Sequence, residues 1–188
     1  MRRALAALGV LGALAGPAVA LAVTKQGTPR ADRLTGTAKA DRLNGRGGAD
    51  QLFGRGGDDK LRGGAGADRV VGAAGDDELL GDGGADRVNG GAGDDDVRGG
   101  AGDDVLVGVG GRDVLEGGEG ADRLDGGPGA DELEGGAGDD VLDARDGASA
   151  EDELDGVDCG PGEDVAYVDE REEGVFDCED VRMPDGQG

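Results

Sequence analysis

Aspartates recur every nine residues without a slip, at Asp32, Asp41, Asp50, Asp59, Asp68, Asp77, Asp86, Asp95, Asp104, Asp113, Asp122, Asp131 and Asp140. Carboxylates at a fixed period are hard oxygen donors, and such donors suit a hard divalent cation better than a transition metal. Many sit beside a second acid, as in Asp58-Asp59, Asp76-Asp77, Asp94-Asp95-Asp96, Asp103-Asp104 and Asp139-Asp140. Something must remove the repulsion in these clusters. Calcium tolerates the mixed carboxylate and carbonyl coordination of a flexible loop better than magnesium does. A solvated acidic face or a row of Asx turns would use the same residue type without a metal. The strict spacing favours the metal. The preceding position holds Asp58, Asp76, Asp94, Asp103 and Asp139 in some units but Ala67, Ala85, Arg112, Ala121 and Ala130 in others. Those acids are therefore read as surface charge that steers cations.

The elements around the aspartates repeat with them. Two residues after each comes one branched aliphatic, from Leu34 and Leu43 through Val70, Val88 and Val97 to Leu142. Glycines open the units, with Gly45, Gly54, Gly63, Gly72, Gly81, Gly90, Gly99, Gly108, Gly117, Gly126 and Gly135 in the complete ones. The fourth position is glycine from Gly48 through Gly57, Gly66, Gly75, Gly84, Gly93, Gly102, Gly111, Gly120 and Gly129 to Gly138. Glycine permits positive φ and close backbone approach, which a tight loop with inward carbonyls requires. A three-residue strand buries only its central side chain, and that residue is always Leu or Val. The position before it is largely polar, as in Arg33, Arg42, Gln51, Lys60, Arg69, Glu78 and Arg87, which suits a solvent-facing side.

The pattern GGxGxDxUx across 27–143 resembles the hemolysin-type calcium-binding repeats of RTX proteins, more loosely before Gly45. The resemblance implies an all-β fold, a right-handed parallel β-roll or β-solenoid with two nonapeptides per turn and calcium-loaded loops on both edges. It also implies that calcium lies between loops of successive turns, held by aspartate carboxylates and backbone carbonyls. Carried over residue by residue, the implied ligands are the eleven aspartates from Asp50 to Asp140. On this reading Asp50, Asp68, Asp86, Asp104, Asp122 and Asp140 share one edge, and Asp59, Asp77, Asp95, Asp113 and Asp131 the other. About nine interior Ca2+ sites follow. Residues 45–143 carry 25 acids and nine bases, a net charge of −16 that nine calcium ions would bring near neutrality.

Composition agrees that packing alone cannot fold the chain. Among 188 residues there are 44 glycines, one tyrosine, two phenylalanines and no tryptophan, with a formal charge of −24. One buried aliphatic contributes roughly 1.5–3 kcal/mol, against about 1–2 kcal/mol for ordering each residue of the nonapeptide. Without an ion such a chain is expected to stay expanded.

The ends depart from the pattern. Arg2 and Arg3 precede an apolar run, and Ala18-Val19-Ala20 has the spacing of a signal-peptidase site. Residues 1–20 read as a signal peptide, cleaved after Ala20 or Ala22, leaving a secreted protein with no membrane association. A short segment, 21–26, follows. Units 27–44 carry Thr28-Pro29-Arg30 and Thr37-Ala38-Lys39 in place of glycines and read as an N-terminal cap with weak or absent calcium. After Asp143, Asp152 and Leu154 fit the frame only if Ala144-Arg145-Asp146 is inserted. Residues 144–188 read as a degenerate repeat and a C-terminal cap, with Val165, Tyr167, Val168, Val175, Phe176 and Val181 as its apolar cluster. Its cysteine-bearing sequence looks like that of actinobacterial members of the same repeat group. In an oxidising compartment the two cysteines, Cys159 and Cys178, are expected to form a disulfide.

Several function classes are disfavoured. Histidine is absent, Ser149 is the sole serine, and no acid pair stands apart from the repeated acids, so no enzyme is expected. A strongly acidic chain is expected to repel nucleic acid. The reading is therefore calcium binding by a secreted module whose folding is coupled to extracellular calcium. The alternative is a cell-surface or matrix interaction protein that uses calcium only structurally.

Overall fold

The computed structural model describes residues 21–145, 155–169 and 174–183. Its strands form two all-parallel sheets of nine. One sheet holds β1 (Thr24–Gln26), β3 (Arg42–Gly47), β5 (Lys60–Ala65), β7 (Glu78–Gly83), β9 (Asp96–Ala101), β11 (Val114–Glu119), β13 (Glu132–Ala137), β15 (Gly156–Asp158) and β17 (Val175–Phe176). The other holds β2 (Arg33–Thr35), β4 (Gln51–Phe53), β6 (Arg69–Ala74), β8 (Arg87–Ala92), β10 (Val105–Gly110), β12 (Arg123–Asp125), β14 (Val141–Asp143), β16 (Val165–Tyr167) and β18 (Asp180–Arg182). Consecutive strands alternate between the sheets, and each pairs with the strand one turn later, as Leu43 pairs with Leu61 and Val70 with Val88. Eighteen residues, two nonapeptides, make one turn of a β-solenoid, as the resemblance implied.

The core is a ladder. Leu43, Leu52, Leu61, Val70, Leu79, Val88, Val97, Leu106, Leu115, Leu124, Leu133 and Leu142 are all buried between the sheets. Their neighbours on either side alternate outward, as the strand period of two requires. Most central strands are longer than three residues, for example β5 (Lys60–Ala65), because pairing resumes beyond the first-position glycine. Lys25 stands in the inward column of the first described strand, opposite Leu43, and its amine reaches across to the Thr35 carbonyl in the other sheet. Among the described residues, strand pairing begins inside segment 21–26.

The C-terminal frame differs from the expected one. Asp152 and Leu154 lie outside the described residues. The aspartate position is taken by Asp155 and then Asp164, each bonded to a residue 24 rather than 18 positions earlier, so the chain carries six extra residues here. Val157 and Ala166 fill the core column. The expected apolar cluster divides: Val168 is buried, Phe176 faces outward in register with Asp158 and is 62 % exposed, and Val181, in the inward column in register with Ala166, is 41 % exposed on the last described strand. Tyr167 faces outward, flanked by the guanidinium groups of Arg145 and Arg182.

Candidate metal centre

Each sixth-position aspartate ends a loop just before its strand, and its side chain turns inward. Asp41 and the eleven sixth-position aspartates from Asp50 to Asp140 are at most 3 % exposed. One carboxylate oxygen has a structural task. Oδ1 of Asp50 accepts the Asp32 N–H at 2.7 Å, Oδ1 of Asp68 accepts the Asp50 N–H at 2.6 Å, and Oδ1 of Asp86 accepts the Asp68 N–H at 2.7 Å. The other edge repeats this from Asp59 on Asp41 to Asp131 on Asp113. The two rows expected from the sequence are these two edges. Sequence reasoning missed the staple itself, because nothing in the spacing says which oxygen a backbone N–H takes.

The second oxygen has no such partner. Oδ2 of Asp50, Asp59, Asp68, Asp77, Asp86, Asp95, Asp104, Asp113, Asp122 and Asp140 is buried without a hydrogen bond. A backbone carbonyl of the next turn faces the same space. A Cβ on Gly45 would lie 2.2 Å from Asp50 Oδ2 and 2.5 Å from the Gly63 oxygen, and one on Gly81 2.4 Å from Asp86 Oδ2 and 2.6 Å from the Gly99 oxygen. First-position glycines are thus required for space. Two acceptors converge on one cradle with no donor between them, which is costly in a buried place unless a cation joins them.

Left-handed backbone belongs to other positions. Fourth-position glycines take positive φ throughout, from 86° at Gly57 to 156° at Gly129. The second position does so even where glycine is absent, at Arg46, Arg55, Ala73, Asp82 and Val109, where φ runs from 74° to 96°. The irregular units therefore keep the loop conformation and bear the strain of it.

Electrostatics mark the same row. Burial pushes the Asp86 and Asp95 carboxyls up to about 7, and those of Asp77, Asp122 and Asp140 up to about 6, with neighbouring aspartates adding to the rise. The stapling N–H opposes the shift without cancelling it. Asp50, Asp59, Asp68, Asp104 and Asp113 are raised for the same leading reason.

The first two units solve the problem without a cation. The Thr28 N–H donates to Asp32 Oδ2 at 2.5 Å and its hydroxyl at 2.8 Å, and the Thr37 N–H donates to Asp41 Oδ2. In later loops the second-position N–H goes instead to a carbonyl of the next turn, as from Arg55 to Gly72 and Val109 to Gly126.

Among the described residues no three His, Cys, Asp or Glu side chains gather into a metal cluster. An ion here must therefore draw on main-chain carbonyls as well as carboxylates, an all-oxygen set that suits calcium. A family profile described as "RTX calcium-binding nonapeptide repeat (4 copies)" matches residues 26–61, 53–88, 62–97, 80–115, 98–133 and 116–149. These matches run unbroken from 26 to 149, well over half the chain. The chain belongs to the RTX calcium-binding repeat family. No curated protein matches it. It is a calcium-binding repeat module, and RTX repeats of this kind are structural rather than catalytic.

The expected disulfide is present, with Cys159 joined to Cys178 and their Cα atoms 5.1 Å apart. Cys159 stands in the first loop position, where central units of this RTX array have glycine. Among the described residues no helix is long and apolar enough to cross a membrane, and residues 1–20 lie outside them.

Proposed function

We propose that this protein is an exported calcium sensor in the mechanical sense, a module that is expanded without calcium and becomes a rigid solenoid with it. The observation that carries the reading is the row of buried, unpartnered Oδ2 atoms facing next-turn carbonyls, at ten aspartates between Asp50 and Asp140 and absent from the threonine-capped Asp32 and Asp41. The proposed ligands are the carboxylates of the eleven aspartates from Asp50 to Asp140 together with loop carbonyls. About nine ions would offset the −16 charge of residues 45–143. Residues 27–44 act as a cap, 45–143 as the calcium-loaded body and 144–188 as the disulfide-bearing cap, after a signal peptide over 1–20 that delivers the protein outside the cell. Because each added turn completes its neighbour's site, ligation energy becomes folding energy and binding is cooperative. Extracellular modules work in the range of about 10⁻⁴–10⁻³ M, so the transition belongs to environmental calcium.

A calcium titration followed by circular dichroism and small-angle scattering tests this reading. A sigmoidal gain of β-structure with compaction is expected near millimolar calcium. A compact β-rich state already complete in chelator would refute it, as would a chain expanded under both conditions.

A further inference from the structure

Two places in the sequence suit a signal peptidase, because Ala18-Val19-Ala20 and Ala20-Leu21-Ala22 both put small residues two apart. The fold treats them differently. Leu21 and Ala22 are exposed, and the Leu21 carbonyl accepts the Thr37 hydroxyl at 3.4 Å. Val23 is half-buried against the core, its carbonyl accepts the Arg42 N–H at 2.9 Å, and its nitrogen donates to Oδ1 of Asp41. It stands one turn before Asp41, where the row of staples would have its next aspartate. Asp41 is the carboxylate that most needs this contact. It is 2 % exposed, like the aspartates of the calcium-loaded body, yet the Thr37 N–H occupies the Oδ2 that a cation would take. Asp32, the other threonine-capped aspartate, is only half-buried, so water shares its charge. Among the described residues no lysine or arginine pairs with Asp41. Its partners are the Thr37 N–H, the Thr37 hydroxyl at 3.3 Å and the Val23 nitrogen. A buried carboxylate held by neutral donors alone is costly.

We propose that the exported chain is cut between Ala22 and Val23, and that the new α-ammonium of Val23 is the counter-charge of Asp41, doing for the first turn what calcium does for later ones. The inference rests on the export reading above and moves its boundary by two residues. In the hydrolysis the hydroxyl of water joins the Ala22 carbonyl carbon and its proton goes to the Val23 nitrogen. The proton lost by the new Ala22 carboxyl then makes that amine an ammonium, the main form of an α-amine at neutral pH. A neutral hydrogen bond to Asp41 thereby becomes a charge-assisted one at the same place. A chain beginning at Leu21 would carry its ammonium two residues away and keep an amide against Asp41. The uncut precursor has the same amide, so its first turn reaches full stability only after export.

The first test is the intact mass and N-terminal sequence of the protein made by its own export route, with Val23 expected as the first residue. The second compares calcium-loaded chains that start at Val23 and at Leu21, each released from a tag by a protease that leaves no extra residue. Hydrogen exchange over residues 41–44 should be about tenfold faster in the Leu21 chain, because the donor facing Asp41 has lost its charge. In Asp41→Asn, which keeps an acceptor without the charge, the two starts should differ less than about twofold. A first residue of Leu21, equal exchange in the two natural-sequence chains, or a tenfold difference that survives in D41N would each overturn the proposal while leaving export standing. Protein that retains residues 1–20 would overturn the export reading and this inference with it, and the same mass measurement separates the two failures.

Discussion

Asp86→Asn separates the two tasks of a loop carboxylate and should change stability with opposite signs in the two calcium states. Asparagine keeps an Oδ1 acceptor for the Asp68 N–H, now 2.7 Å away. It replaces Oδ2 by an NH2 group beside the Gly99 carbonyl, which shares the Gly81 cradle. Without calcium, an acceptor facing an acceptor becomes a donor facing an acceptor. The rise of the carboxyl from 3.8 to about 7 sets an upper limit of about 4 kcal/mol on the cost of its charge. Partial protonation at neutral pH and solvent near the loop edge reduce this to about 1–3 kcal/mol. With calcium, the same substitution removes one charged ligand, and stability should fall. The assay is refolding in chelator driven by sucrose, which favours compact states, set beside thermal melting at saturating calcium. D86N should need less sucrose than the natural chain, while Asp86→Ala, which also loses the staple, should need more. A D86N chain that is destabilised equally in chelator and in calcium would show that Oδ2 has no cation to meet.

The raised carboxyls also fix a pH dependence, for Asp77, Asp122 and Asp140 at about 6 and Asp86 and Asp95 at about 7, against 3.8 in the open chain. Their protonated forms favour the fold, so this contribution is complete below 3.8 and is lost as pH rises through 6 and 7; dichroism in chelator should show most structure near pH 4, and more structure at pH 8 would contradict it. Calcium affinity should run the other way, weakening as protons compete below about pH 7. Val109→Gly should lower the calcium midpoint, since a β-branched residue at φ 96° with its side chain 43 % exposed gives up little packing for a gain of about 1–2 kcal/mol. Asp104→Ala should cut bound calcium and cooperativity, whereas Asp32→Ala should leave both nearly unchanged because Thr28 already satisfies its carboxylate; calorimetric titration gives both numbers. Cys159→Ser should loosen the C-terminal turns, at a cost of roughly 3 kcal/mol for a loop with a separation of 19, and leave the central calcium response intact; hydrogen exchange by segment would show whether the effect spreads.

The solenoid was legible because one period controls every feature. The aliphatic column, the aspartate rows and the turn of two nonapeptides all follow from counting by nine, and a slip of one residue would have faced every leucine outward. Finer assignments were less legible, for physical reasons. First-position and fourth-position glycines look alike in sequence, yet Gly45 makes room for the Asp50 carboxylate while Gly48 holds φ at 97°. Asp82 and Val109 look like defects in a glycine row but adopt the same left-handed backbone, because the neighbouring turns dictate it. The C-terminal frame was misplaced because an insertion leaves no periodic mark; only the bond from the Asp131 N–H to Asp155 Oδ1 shows where the row resumes.

The two ends of the array stop it by different chemistry, which makes the number of ions a property of a few side chains. At the N-terminus the cradle glycines persist: a Cβ on Gly36 would still lie 2.5 Å from Asp41 Oδ2 and from the Gly54 oxygen. What changes is the donor, since Thr28 and Thr37 turn their N–H groups onto Oδ2 and occupy the lone pair a cation would take. Past Asp140 the cradle itself is filled. First-position residues there are Ala144, Cys159 and Val168, all at most 1 % exposed, and their side chains occupy the space that glycine leaves open in the body of the roll. The last aspartate staple is gone as well, for the Asp164 N–H goes to Glu179 Oε2. Thr37→Gly should therefore extend the calcium array, because glycine frees position 37 to take the left-handed backbone that in later loops sends the second-position N–H to a next-turn carbonyl, and the acceptors around Gly36 are already in place. Replacing Cys159 by glycine should not extend it, because the next turn supplies no aspartate to complete a row. Ion counts by equilibrium dialysis distinguish these outcomes; a Thr37→Gly chain that binds no more calcium than the natural one would mean that the threonine's backbone conformation is not what excludes the ion.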